Sequence, residues 1–60
     1  MNPKFIHHEL EVYVEIGRGL VAHLQHSYDK KYIFKSLSSY PLSSEQLKSI
    51  VNKLEELNGT

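Results

Sequence analysis

The chain has no cysteine and no tryptophan, a single arginine, two prolines and three glycines among its 60 residues. Without cysteine there is neither a disulfide nor a thiolate metal site to brace the fold. Below roughly 70–80 residues one hydrophobic core seldom yields more than about 3–5 kcal/mol, so small domains commonly need such a brace. Two remain: a metal held by histidines, or oligomerisation. Oligomerisation is the commoner solution at this size, and a homodimer is expected. The absence of thiols also agrees with a reducing compartment. No stretch approaches the ~20 apolar residues that span a bilayer. The opening MNPKFIHHELE has no apolar run of signal-peptide length, so a cytoplasmic protein without membrane contact is expected. Formal net charge is zero. That balance argues against both the basic footprint of a strong nonspecific nucleic-acid binder and the surface of an acidic nucleic-acid mimic.

What is present is ordinary for a folded protein. Hydrophobic residues make up 40 %, enough to offset the ordering cost that keeps polar chains disordered, and residues 1–60 are expected to form one domain. Charge is distributed unevenly. Residues 1–17 set Lys4 against Glu9, Glu11 and Glu15. Residues 18–35 set Arg18, Lys30, Lys31 and Lys35 against Asp29. Residues 36–60 set Lys48 and Lys53 against Glu45, Glu55 and Glu56. The middle of the chain is therefore its basic part.

The C-terminal third predicts a helix over 43–58. Leu47, Ile50, Val51, Leu54 and Leu57 recur on one helical face. Ser43 is placed to be the N-cap with Gln46 as its capping-box partner, and Leu42 and Leu47 occupy the positions of a hydrophobic staple. Glu45 suits the positive end of the helix dipole, and Asn58-Gly59 supplies the stop.

Upstream, Tyr32, Ile33 and Phe34 are strand formers and Tyr40-Pro41 closes their segment, predicting a strand over 31–38 after a turn at Ser27-Tyr28-Asp29-Lys30. Residues 3–26 admit two conformations. Leu10, Val12, Val14 and Ile16 alternate strictly with Glu9, Glu11, Tyr13 and Glu15, the pattern of a half-buried strand over 9–16. Gly17-Arg18-Gly19 then turns the chain into a second strand over 20–26, with Leu20, Ala22 and Leu24 inward. The alternative is a long helix over 3–27. Asn2-Pro3 would open it, and Ile6, Leu10, Tyr13, Gly17, Leu20 and Leu24 would repeat along it at intervals of four and three. Three β-branched residues in five positions and two glycines, each costing roughly 1 kcal/mol in a helix, favour strands. A short helical turn over 3–8 before the strands is a compromise between the two.

The expected architecture is thus α+β: a three-stranded antiparallel meander covered on one side by the C-terminal helix. The alternative is all-α. The expected buried set is Leu10, Val12, Val14, Ile16, Leu20, Leu24, Phe34, Leu47, Ile50, Val51, Leu54 and Leu57. The other side of the sheet would show Tyr13, Val21, Ile33 and Leu37, an apolar strip of the kind that marks a partner surface. These four are the expected dimer interface.

Little in the sequence points to catalysis or to a cofactor. Glu9, Glu11 and Glu15 read as the wet face of a strand rather than an acid–base group, which needs a pocket to shift a carboxylate. Gly17-Arg18-Gly19 falls short of a phosphate-binding fingerprint. The serines lack a nucleophile-elbow pattern. Of the four histidines, His7 and His8 are adjacent, while His23 and His26 would share a face only on a helix, where they could hold a divalent metal. A metal site is accordingly a lesser expectation, and a histidine interface responsive to pH a smaller one. The expected function is a non-enzymatic protein-interaction module, a homodimeric accessory, regulatory or inhibitory protein acting by surface complementarity. Arg18, Lys30, Lys31 and Lys35 are its candidate contacts for an acidic partner surface. The alternative is a nucleic-acid-binding module that uses the mixed basic and aromatic segment 28–35.

Overall fold

The structure, a computed structural model, describes residues 2–59. Four strands and one helix follow each other along the chain: β1 (Lys4–His8), β2 (Glu11–Ile16), β3 (Gly19–His26), β4 (Tyr32–Ser36) and α1 (Ser44–Asn58). The strands form one antiparallel sheet in the order β1-β2-β3-β4. The α+β class and the covering helix are as the sequence predicts, but the sheet has four strands rather than three. No long N-terminal helix forms. The β-branched run of β2 pairs on both sides, and Gly17, at a φ of 68°, occupies the turn into β3.

The additional strand, β1, occupies the stretch where a helical turn was weighed. It is joined to β2 by Glu9-Leu10, with Glu9 at a φ of 58°, a conformation that glycine or asparagine usually supplies. Leu10 sits in this turn and is exposed instead of continuing the inward row of β2.

Strand alternation gives the sheet two unlike sides. Val12, Val14 and Ile16 of β2 meet Ala22 and Leu24 of β3 on one side, and Ile50 of α1 closes over them. Phe5, Tyr32, Leu42, Leu54 and Leu57 pack around this core. Val21 joins it through a β-bulge. Val14 pairs with Ala22 while Glu15 pairs with Leu20, so one extra residue of β3 lies between two pairs. The bulge reverses the alternation. Val21, expected on the open side and in the dimer interface, is buried, and Leu20, expected inside, is 46 % exposed.

The helix begins and ends on the predicted signals. Ser43 Oγ accepts from the Gln46 backbone N–H at 3.1 Å, and Gln46 Oε1 accepts from the Ser43 N–H at 2.9 Å. Gly59 takes the left-handed C-cap position, at a φ of 75°. The buried stripe is rotated from the predicted one. It runs through Gln46 and Ile50 toward Leu54 and Leu57, leaving Leu47 and Val51 about half exposed. Phe34, on the helix side of the edge strand β4, is 42 % exposed although β4 is the strand α1 lies nearest. Among the described residues no helix is long and apolar enough to cross a membrane.

Candidate functional site

The side of the sheet away from α1 is covered by no other strand or helix among the described residues. One row crosses all four strands: Ile6 opposite Tyr13, Tyr13 opposite His23, His23 opposite Lys35. A neighbouring row sets Lys4 opposite Glu15 and Glu15 opposite Leu20. On the far side His8 faces Glu11, and Gln25 faces Ile33. Leu37 follows β4 in the same alternation, held by its N–H to the carbonyl of the bulged Val21 at 3.0 Å. The face thus carries Ile6, Leu20, Ile33 and Leu37, each at least a third exposed, around a polar and aromatic centre.

That centre is built by register. The Tyr13 and His23 rings stack with centroids 4.5 Å apart and planes 8° from parallel, an arrangement directly opposed strand positions permit. Glu11, two residues before Tyr13 and therefore on the same face, accepts a long hydrogen bond from Tyr13 Oη at 3.4 Å. Its other carboxylate oxygen lies 3.4 Å from His23 Nε2. The imidazole side chain is only 12 % exposed although no element covers it, because Tyr13 shields one ring face. Nε2 is close enough to Glu11 for electrostatic attraction, but their alignment does not make a hydrogen bond. The cluster gathers Glu11, Tyr13 and His23 at the middle of the face.

His26, three residues beyond His23, lies on the opposite side of the sheet, edge-on to the Tyr32 ring at 5.1 Å. The two histidines that would share a helical face are therefore separated by the sheet. Among the described residues no group of three or more histidine, aspartate, glutamate or cysteine side chains is placed to hold a metal ion.

The four candidate basic contacts do not make one rim. Arg18 lies in the β2–β3 turn, and Lys30 and Lys31 lie in the β3–β4 turn. The eight residues of β3 separate those turns by about 25 Å at roughly 3.3 Å per residue. Lys35 lies between them on the uncovered face. Lys30, Lys31 and Lys35 remain on one turn-and-strand unit, and Arg18 stands alone at the other end. The mixed segment 28–35 is likewise divided. Lys35 and Ile33 face the open side, Tyr32 packs against the core, and Tyr28 projects fully into solvent. Its bases and aromatics do not form one stacking platform.

The Ser27–Lys31 turn is tightly made. The Ser27 N–H donates to the Lys31 carbonyl at 2.6 Å and the Lys30 N–H to the Ser27 carbonyl at 3.0 Å. The Ser27 hydroxyl has both the Asp29 carboxylate and the Lys31 carbonyl as acceptors. Its hydrogen bond to Asp29 is the main reason that this carboxyl is held below its usual range, with smaller help from backbone N–H groups and Lys31.

Sequence reasoning placed Tyr13, Ile33 and Leu37 on the open side and missed Ile6, Leu20 and His23. Ile6 was hidden because β1 itself was not foreseen, and Leu20 because the bulge has no marker in the sequence. Comparison with family models, with curated proteins and with solved structures finds no match to this chain.

Proposed function

We propose that the chain is a small non-enzymatic interaction module, homodimeric, whose uncovered sheet face docks on another protein by surface complementarity. The observation that carries this is the one-sided cover. Four strands are paired into a twisted plate, one helix closes one side, and the other side presents Ile6, Leu20, Ile33 and Leu37 about the Tyr13–His23 stack. Exposed apolar residues bordered by charge on a preformed plate are the composition of a binding surface. The bordering charges are Lys4 and Lys35 on the edge strands and Glu11 and Glu15 on β2. Lys30, Lys31 and Lys35 supply the place for an acidic group of the partner, where charge sets on-rate and specificity more than affinity.

The test is affinity capture from native lysate with three baits: the wild type, an Ile33→Glu/Leu37→Glu variant, and an Arg18→Glu variant. The expected outcome is a protein retained by the wild type and by Arg18→Glu but lost from the double variant. The same proteins on all three baits would overturn the assignment of the face. The homodimer is checked separately by light scattering over a wide concentration range.

A further inference from the structure

The sheet has two edges, β1 and β4, and they are finished differently. On β1 the Phe5 ring carries Lys53 Nζ 5.5 Å from its centroid, and Lys4, His7 and His8 hold three of the four other positions, with Ile6 at the fourth. Charge on an edge strand discourages pairing with another chain. On β4 the outward backbone groups belong to Tyr32, Phe34 and Ser36. This follows from the alternate residues, since the Lys31 carbonyl and the Leu37 N–H both bond inward to β3. Tyr32 is already satisfied by a side chain that imitates a strand. Its N–H donates to Asn58 Oδ1 at 2.7 Å and its carbonyl accepts from Asn58 Nδ2 at 3.2 Å. No hydrogen bond is found for the next outward pair, the N–H and carbonyl of Phe34, among the described residues.

The helix flank beside this edge is apolar. Asn58 marks the flank that faces β4. Val51 and Leu47 precede it by seven and eleven residues, which at about 100° per residue places both within about 20° of it. They are 49 % and 45 % exposed, and Phe34 below them is 42 % exposed. Lys53, the cation over Phe5, belongs to the opposite flank.

The geometry points to a second copy of this chain as the occupant of the β4 edge: the two edges meet antiparallel about a two-fold axis at Phe34, exchange backbone hydrogen bonds at that residue alone because Asn58 already fills the place opposite Tyr32, and pack Phe34, Leu47 and Val51 of each copy across the seam. Within such a pair two directly opposed Phe34 residues exchange both of their backbone hydrogen bonds. The register sets Lys35 opposite Ile33 of the second copy, so no like charges face each other. Net charge of zero removes repulsion between copies. The Asn58–Tyr32 bonds stop the pairing after Phe34, and a two-fold contact closes on itself, so the product is a dimer rather than a filament. The uncovered sheet face, where the sequence predicts the dimer contact, stays free for a partner protein, so this seam moves the dimer contact from that face to the β4 edge.

This seam rests on the homodimer proposed above, and the test separates the two. A chain without cysteine allows single-cysteine cross-linking without background. Opposed residues of a hydrogen-bonded antiparallel pair have Cα atoms about 5.5 Å apart, within disulfide reach. Under mild oxidation Phe34→Cys is expected to go largely to a disulfide-linked dimer, at least tenfold faster than Tyr28→Cys on the fully exposed turn. Val51→Lys, at a half-exposed position that leaves the core intact, is expected to run as a folded monomer of 7.0 kDa while the wild type runs at twice that mass. A wild-type dimer in which Phe34→Cys links no faster than Tyr28→Cys, or which Val51→Lys leaves intact, overturns the seam alone. A wild type that stays monomeric at every concentration overturns the seam and the homodimer together.

Discussion

Two residues with side chains stand where backbone geometry favours glycine: Glu9 at a φ of 58° and Lys30 at a φ of 68°. Each such residue costs roughly 1–2 kcal/mol through the clash of Cβ with the following carbonyl, while glycine gives back about 0.5–1 kcal/mol in lost chain freedom. Glu9→Gly and Lys30→Gly are therefore each expected to raise stability by up to about 1 kcal/mol, read as a higher urea midpoint at unchanged slope. A lower midpoint in either would show that its turn does not take the left-handed conformation. Between them lies Asp29, whose carboxyl is held below its usual range chiefly by the Ser27 hydroxyl. A carboxyl depressed in the folded state contributes stability above its unfolded pKa and loses that contribution as pH falls through the folded value. A carboxyl titration followed by NMR should show Asp29 with the lower midpoint in the wild type and a return toward the ordinary carboxylate range in Ser27→Ala. An unchanged midpoint in that variant would remove the hydroxyl as the cause.

At the scale of elements, α1 is fixed at both ends by side chains that bond backbone. Ser43→Ala removes the acceptor for the Gln46 N–H and should cost about 1 kcal/mol. Asn58→Ala strips both bonds from Tyr32 and frees the helix end from β4, for a loss of roughly 1–3 kcal/mol. Thermal melts of the two variants rank them, and an Asn58→Ala melt equal to wild type would mean that water replaces the amide without loss. These two ends differ in how far sequence reveals them. The capping box and the glycine stop are local patterns, and so is the alternation of Val12, Val14 and Ile16, so the two ends of α1 and the inward row of β2 from Val12 onward were legible. The Asn58–Tyr32 bond joins positions 26 apart and has no local sign. β1 escaped notice for a related reason: its turn uses Glu9-Leu10, a pair without turn chemistry, and its polar end residues His7 and His8 belong to an edge that water reaches. The bulge at Val21 hid the true facing of Leu20 and Val21, since a period-two pattern cannot show where one residue has been added. The open face was therefore legible as a consequence of one helix and several strands, and of its residues Glu11, Tyr13, Glu15, Ile33 and Leu37 were legible.

The molecule is a thin object, with one sheet and one helix around seven buried hydrophobic residues among the described ones. A core of that size in a chain this short seldom gives more than about 3–5 kcal/mol. Leu24 is fully buried at its centre, and Leu24→Ala should cost about 2–5 kcal/mol. The isolated chain would then be left close to the point of unfolding. Association changes the outcome, because whatever binds only the folded state adds to its stability in proportion to the logarithm of concentration. If two copies join along β4, the folded fraction of Leu24→Ala should climb as its concentration is raised a hundredfold, followed by circular dichroism at constant temperature. Adding Val51→Lys to the same background should abolish that climb while leaving the low-concentration signal where it was. A folded fraction independent of concentration in both backgrounds would mean that the fold stands without a second copy, and that its few buried side chains pack more stably than their number suggests.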